Sequence, residues 1–239
     1  MLEGNLQNIL LKVSFYVTFA FLVTTGTITF IESISTQNPL VRHALNLETC
    51  ISIVAAYFYG KFMKKLKIDE TDLTTLNNEE FDFKDINQNR YMDWAITTPL
   101  MLLVLLIVFG INANGPMPSG KFFGLVLLLN YLMLLCGFAS DVYYSQYNGT
   151  THLLGFIFYA LMYGVIGHKY IFVANPVRDN NIIYYAFVIM WAFYGVFHGM
   201  GEKVKNIGYN ILDLFAKCFV GIFFWAYLTK AMRLLGNTA

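Results

Sequence analysis

The chain has 239 residues, of which 57% are apolar, 17% aromatic and only 13% charged, with a formal net charge of +1. A composition this greasy excludes a soluble globular domain of the same size and reads as an integral membrane protein. No basic patch is present to hold nucleic acid, and Cys50, Cys136 and Cys218 lack metal-ligand spacing, so they read as small buried residues rather than disulfides.

Seven apolar segments follow one another at roughly 10–34, 43–64, 90–111, 120–142, 152–173, 181–200 and 206–231, each near the ~20 residues that a bilayer core requires. Short connections join them, so the expectation is an all-α membrane protein, a single seven-helix domain over 1–239. The first segment is too long for a cleavable signal peptide and no small-residue cleavage site follows it, so it is expected to act as an uncleaved anchor. The second enters the bilayer around Leu40 to His43 and carries Glu48 one to two turns inside. The 2–3 connection holds Asp69, Glu70, Asp72, Glu79, Glu80, Asp82 and Asp85 against Lys84, although Lys61, Lys64, Lys65 and Lys67 stand beside it; Arg42, Lys121, Arg178, Lys230 and Arg233 mark the opposite face. The distribution of basic residues then puts the N-terminus outside and the C-terminus in the cytoplasm. Asn148-Gly149-Thr150 would face outward as a glycosylation sequon, a triplet common by chance.

The third segment begins Arg90-Tyr91-Met92-Asp93-Trp94-Ala95-Ile96-Thr97-Thr98-Pro99-Leu100. Arg90, Asp93 and Thr97 are spaced to share one helix face, where the Thr97 hydroxyl can hydrogen-bond Asp93. An interfacial Arg–Asp pair would account for Arg90, but not for an Asp-Thr-Thr face opposite another acid and a lysine. Those two are Asp213 and Lys217 in the last segment, four residues apart and so one turn from each other. A lysine in mid-bilayer costs at least about 2.5–3.5 kcal/mol, which makes it a functional position unless the pair merely staples two helices.

RYMDWAITTPL followed much later by DLFAK resembles the helix-3 and helix-7 signatures of the microbial (type 1) rhodopsins, a likeness that extends over all seven helices. The resemblance implies a seven-helix bundle with all-trans retinal in its core, bound to Lys217 as a protonated Schiff base. It makes Asp93 the counterion and proton acceptor, Asp213 the second counterion and Arg90 the gate of the outward side. Trp94, Thr98 and Met101 match positions lining the polyene, Trp191 and Tyr194 match the helix-6 WxxY pair, and Met133 and Gly137 flank the retinal ring if Asn130 is aligned with the polar residue of helix 4. Tyr59, with Tyr57 as the alternative, matches the tyrosine that bonds the helix-7 aspartate. The chain departs from the pattern at Gly195, where the family usually has proline, and at His198, where an aromatic usually follows. Phe156, Tyr159, Ala160 and Tyr163 on helix 5 find no clean match.

The resemblance implies a photoreceptor acting as a light-driven outward proton pump, which translocates protons and does no bond chemistry on a substrate. Where such pumps carry a helix-3 donor carboxylate, this chain has Val104. Glu48 lies in the half of the protein that needs a donor, aimed toward that gap; its other reading is a structural acid bonded to a backbone carbonyl or to Asn46. Thr25-Gly-Thr-Ile-Thr-Phe-Ile-Glu32 and Val41-Arg-His-Ala-Leu-Asn-Leu-Glu48-Thr-Cys50 resemble the rhodopsins of large DNA viruses, especially their second group. That implies a helix-2 glutamate donor and a homo-oligomer, a pentamer, with Arg42 and Phe30 along its axis; otherwise Arg42 is a cytoplasmic anchor and Phe30 faces lipid. Glu32 reads as a snorkelling interfacial acid, and Glu202 as either a proton-release candidate or a surface acid. A light-gated cation channel using Glu32 and Glu48 is the alternative, and a photosensor the third reading. Asp93 disfavours a chloride pump, and the missing Asn-Asp-Gln triad disfavours a sodium pump.

Overall fold

The computed structural model describes residues 2–66, 83–142, 149–172 and 177–230, and every regular element among them is helical. Helices α1 (Leu2–Ser35), α2 (Pro39–Lys65), α3 (Lys84–Asn112) and α4 (Gly120–Val142) are followed by α5 (Gly149–Gly167), which runs on into a wide π-helical turn at His168–Phe172. After α6 (Arg178–His198), the last rod consists of α7 (Glu202–Asp213), a π-helical stretch Leu214–Phe219 and α8 (Val220–Leu228). Several helices begin before their apolar runs: α1 by eight residues, α2 by four and α3 by six, because amphipathic first turns extend beyond the greasy stretch.

Local chemistry explains the boundaries. Asn38 caps α2, its Oδ1 accepting from the backbone N–H of Leu40 at 3.0 Å and of Val41 at 3.4 Å, and Pro39 follows where a missing N–H does no harm. Pro99 sits inside α3 without ending it. A proline there leaves the carbonyl four residues back without its helical donor, and the Tyr131 hydroxyl from α4 donates to that carbonyl, Ala95 O, at 3.1 Å. Past Asn112 the chain reverses through Asn114 at φ 48°, a left-handed position that asparagine tolerates.

Consecutive helices pack side by side, and α1 closes the ring against the last rod. One core fills one half of the bundle, from Ala44, Leu102, Val104 and Leu105 to Phe187, Trp191 and Phe224; a second, around Phe15, Tyr59, Phe62 and Ile86, fills the other. Large apolar side chains such as Phe21, Leu128, Leu135, Leu154, Ile189 and Phe215 point outward, the inside-out surface of a protein solvated by lipid. Among the described residues six helices are long and apolar enough to cross a membrane. The seventh, α2, is too polar to join them on composition, since Arg42, His43, Glu48, Lys61, Lys64 and Lys65 interrupt it. Its 27 residues nevertheless make a rod of about 40 Å, longer than a ~30 Å hydrocarbon layer.

The acids 69–82, Lys67, Asn148 and Arg233 lie outside the described residues. At that end of α2, Lys65 pairs with Asp85 at 2.6 Å and Lys61 donates to Asn89 at 2.7 Å. Of the cysteines, Cys218 is buried and Cys136 half-buried, but Cys50 is exposed on the outer face of α2, contrary to expectation.

Candidate functional site

Lys217 sits in the π-helical stretch of the last rod, with Asp213 on the final residue of α7 and Asp93 facing it from α3. All three are withdrawn from solvent, at 1%, 0% and 0% exposure. The Lys217 ammonium donates to Asp93 Oδ2 at 2.6 Å and lies 3.4 Å from Asp213 Oδ2. Arg90 completes a neutral quartet, its Nη1 3.8 Å from Asp213. An ion pair this dry holds only if its remaining valences are met, and here the two acids differ. Asp213 also accepts from the hydroxyls of Tyr59 at 2.9 Å and Tyr194 at 2.7 Å, whereas Asp93 Oδ1 has no hydrogen-bond partner. Asp93 is therefore the carboxylate that the protein's own donors hold less completely.

The structure brings Tyr59 to Asp213 and leaves Tyr57 at 67% exposure, which decides between the two tyrosines. It revises Thr97: that hydroxyl donates to the main-chain carbonyl of Asp93 at 2.9 Å and not to the carboxylate, the usual outlet for a helical threonine. Thr98 likewise donates to Trp94 O at 2.7 Å, and accepts from Asn130 Nδ2 of α4 at 2.9 Å.

From Lys217 and Asp213 an elongated pocket runs between the helices. Trp94, Thr98, Met101, Met133, Gly137, Trp191 and Tyr194 all line it. Trp94 stands edge-on to Tyr194 at 5.5 Å and to Tyr209 at 5.0 Å, and Tyr163 is edge-on to Trp191 at 5.9 Å. Gly137 is required by close approach, because a Cβ there would lie 2.8 Å from the Tyr91 hydroxyl. Helix 5, unassigned from sequence, contributes Thr151, His152, Gly155, Phe156 and Tyr159 to the lining. The Phe156 ring occupies the space that a side chain at Gly195 would need, so the absent proline of α6 and the bulky residue of α5 are two halves of one arrangement. His198, Tyr91 and Tyr209 also reach the lining and were missed as pocket residues; only the departure at His198 signalled this region.

The donor set fits a lysine-bound chromophore. A buried amine between two carboxylates opens on an apolar slot walled by aromatic faces, as a flat polyene held through a cationic imine requires. Asp93 Oδ1, Trp94 Nε1 and Trp191 Nε1 are buried around the slot without protein partners.

Arg90 faces a polar region beyond the quartet. Its Nη2 donates to Asn210 at 2.7 Å and Asn206 at 3.0 Å, and Phe15, Tyr59, Phe62 and Tyr209 surround the guanidinium with ring centroids 5.1–5.7 Å away. Toward the other end lies Glu48, at 2% exposure. Its carboxyl packs against Gly221 of α8, while Asn46 is exposed on another face of α2. Arg42 and Phe30 are exposed, and Arg42 donates to Thr36 O at 2.8 Å.

Comparison with known proteins agrees with this geometry. A family profile described as bacteriorhodopsin-like protein matches residues 10–231. The crystal structure of the viral rhodopsin OLPVRII superposes with a TM-score of 0.81 at 46% identity, covering 93% of this chain and 99% of that one. Xanthorhodopsin, a light-driven ion pump with dual chromophore, shares the fold at a TM-score of 0.73 and 18% identity, with 96% of each chain covered. Halorhodopsin of Natronomonas pharaonis is 26% identical over 173 residues, which is 65% of this chain and 55% of that protein. The chain spans about half the length of the curated relatives it matches. Seven helices, a buried lysine between two aspartates and a match over nearly the whole chain lead to one conclusion: this is a multi-pass membrane protein of the bacteriorhodopsin-like family, whose members carry retinal on a lysine.

Proposed function

We propose that the protein is a light-driven proton pump that moves protons outward. The observation that carries this reading is the asymmetry of the two acids at Lys217: Asp93 touches the amine and has no other side-chain donor, while Asp213 is also held by two tyrosines. Retinal bound through Lys217 would supply the light-driven change of shape that moves the nitrogen's proton between environments. Asp93 receives a proton on the outward side, Asp213 stays in place as fixed negative charge, and Arg90 carries the charge balance toward Asn206 and Asn210. Glu48 refills the centre from the cytoplasmic side. Among the described residues the buried acids are Asp93, Asp213 and Glu48, which leaves Glu48 as the buried carboxyl of the other half of the bundle.

The dry packing of Leu102, Val104, Leu105, Leu106 and Val108 favours a pump over a light-gated cation channel, which needs a hydrated path along its length. A carboxylate at Asp93 argues against chloride transport, since an anion would have to sit beside it. In this reading the N-terminus is outside and the C-terminus cytoplasmic. The exposed face bearing Phe30 and Arg42 then packs against further copies of the chain, in a pentamer by resemblance to the viral proteins.

The test is the pH of an unbuffered suspension of retinal-supplied cells expressing the protein, under illumination. Acidification abolished by a protonophore is the expected result. A pigment that photocycles without moving net protons refutes pumping, and currents that reverse with the cation gradient would establish a channel instead.

A further inference from the structure

Near the outward end of the bundle, four helices converge on a second group of ionisable side chains, separate from the Lys217 quartet. Asp141 comes from α4, His198 from α6, Tyr91 from α3, and Lys205, Glu202 and Tyr209 from α7. Lys205 is almost wholly buried, and its ammonium donates to Asp141 Oδ1 at 3.1 Å and to Glu202 Oε1 at 2.7 Å. Tyr91 donates to Asp141 Oδ2 at 3.1 Å. His198 Nδ1 lies 3.3 Å from the Tyr209 hydroxyl, 3.5 Å from that of Tyr91 and 3.8 Å from Asp141 Oδ1, and the His152 ring of α5 is 5.3 Å away.

Two features mark this group as more than a structural knot. Its charges do not cancel, because two carboxylates share one ammonium, so with a neutral imidazole the cluster carries one surplus negative charge and has room for one proton. It also adjoins the centre on two sides. His198, Tyr91 and Tyr209 line the same cavity as Lys217, and the Arg90 guanidinium lies 5.5 Å from the Tyr209 ring. A second line runs from Arg90 to Asn206 at 3.0 Å, from Asn206 to Asn87 at 3.4 Å and from Asn87 to Glu202 at 2.9 Å.

We propose that the His198–Asp141 pair is a proton-accepting station on the outward path, taking the proton that leaves the Asp93 centre and passing it to the surface through Glu202. The inference rests on the proton-pump reading for its direction. Protonation reverses the role of His198 Nδ1: a neutral ring in the Nε2–H tautomer accepts there from the Tyr209 hydroxyl, and a doubly protonated ring donates toward Asp141. Glu202, half exposed beside Lys205, is then the exit and not the store.

The test uses the full-length, retinal-loaded protein in lipid nanodiscs, with a pH-indicating dye in the bulk and time-resolved infrared detection of isotope-labelled histidine after a flash. The expected result is a histidinium signal that rises and decays before the dye responds, is absent in His198→Gln, and is accompanied in Asp141→Asn and His198→Gln by a delay of the dye response of at least tenfold. Wild-type timing in both variants overturns the proposal, as does loss of the histidinium signal in Glu202→Gln, where a blocked exit should leave the store filling as before. If Asp141→Asn fails to fold, nitrogen NMR of labelled histidine in the dark wild-type protein still decides: a neutral His198 ring supports the station, and a ring already protonated on both nitrogens refutes it. Net acidification by cells is scored separately, so loss of pumping with an intact histidinium transient would refute the pump and leave the station standing.

Discussion

Adding one carbon at Gly221 tests whether the inner carboxyl works from the place where the fold holds it. A Cβ there would lie 2.8 Å from Thr25 Cγ2 and 3.1 Å from Glu48 Oε2, where ordinary contact begins at 3.4 Å, so Thr25 must yield about 0.6 Å and Glu48 about 0.3 Å. Thr25 has little freedom, because its hydroxyl donates to Cys218 O and its carbonyl accepts from Thr29. Overpacking of this kind costs about 1–3 kcal/mol. Displacing a catalytic group by ~1 Å can cost about 10²-fold in rate, so a shift of a few tenths of an ångström in Gly221→Ala should slow refilling by roughly three- to tenfold. Glu48→Gln keeps the shape and removes the proton; positioned acids contribute about 10²–10⁴-fold, so that variant should slow it by on the order of 10². The assay is the recovery of visible absorbance after a flash, in both single variants and the double one. In the Glu48→Gln background the added methyl should matter less than twofold, since its target is gone. Recovery of Glu48→Gln at the wild-type rate, or equal slowing by Gly221→Ala in both backgrounds, would refute the reasoning.

Lys217→Ala should form no covalent pigment with added retinal, read as loss of the mass adduct and of visible absorbance; it also leaves two buried carboxylates without their cation, a defect of about 3–5 kcal/mol that should lower the melting temperature. Tyr59→Phe removes a donor shared by Asp213 at 2.9 Å and Asn210 at 3.0 Å and should cost about 1–3 kcal/mol in thermal or denaturant stability, with an unchanged melting temperature counting against that bond. Gly195→Ala should destabilise the pigment by about 1–3 kcal/mol through collision with Phe156, and Phe156→Ala should relieve the collision. If Gly195→Ala is harmless with Phe156 intact, the two positions are not coupled as described.

What the sequence discloses is governed by how local the signal is. Asp213 and Lys217 are neighbours on one rod, and Arg90 and Asp93 on another, so mid-bilayer charge in an apolar run exposes them directly. Their meeting across the bundle follows once both helices are recognised. Less was legible where the outcome depended on competition between nearby acceptors: Thr97 had a carboxylate and a main-chain carbonyl within one turn and took the carbonyl. Helix 5 gave no pattern because Phe156 is intelligible only beside the missing side chain of Gly195, some forty positions away. The cluster of Asp141, His198 and Lys205 is drawn from helix ends, where polar residues are expected anyway, and only three-dimensional convergence sets it apart. The second helix is legible as the segment 43–64 even though its own charges dilute an apolar signal that is stronger in its neighbours.

The wide turn at Leu214–Phe219 has a consequence for the phasing of the last rod. Each step along an α-helix turns the chain by about 100°, so a stretch wound more loosely by one residue re-aims everything beyond it by roughly that angle. Lys217 lies within the stretch and Gly221 beyond it, and the same backbone must present an amine to Asp93 and a bare surface to Glu48. The loosened winding thus works as a phase shifter between the two, and any single-residue insertion or deletion between Asp213 and Gly221 would turn one of them to face lipid while leaving every side chain's identity intact.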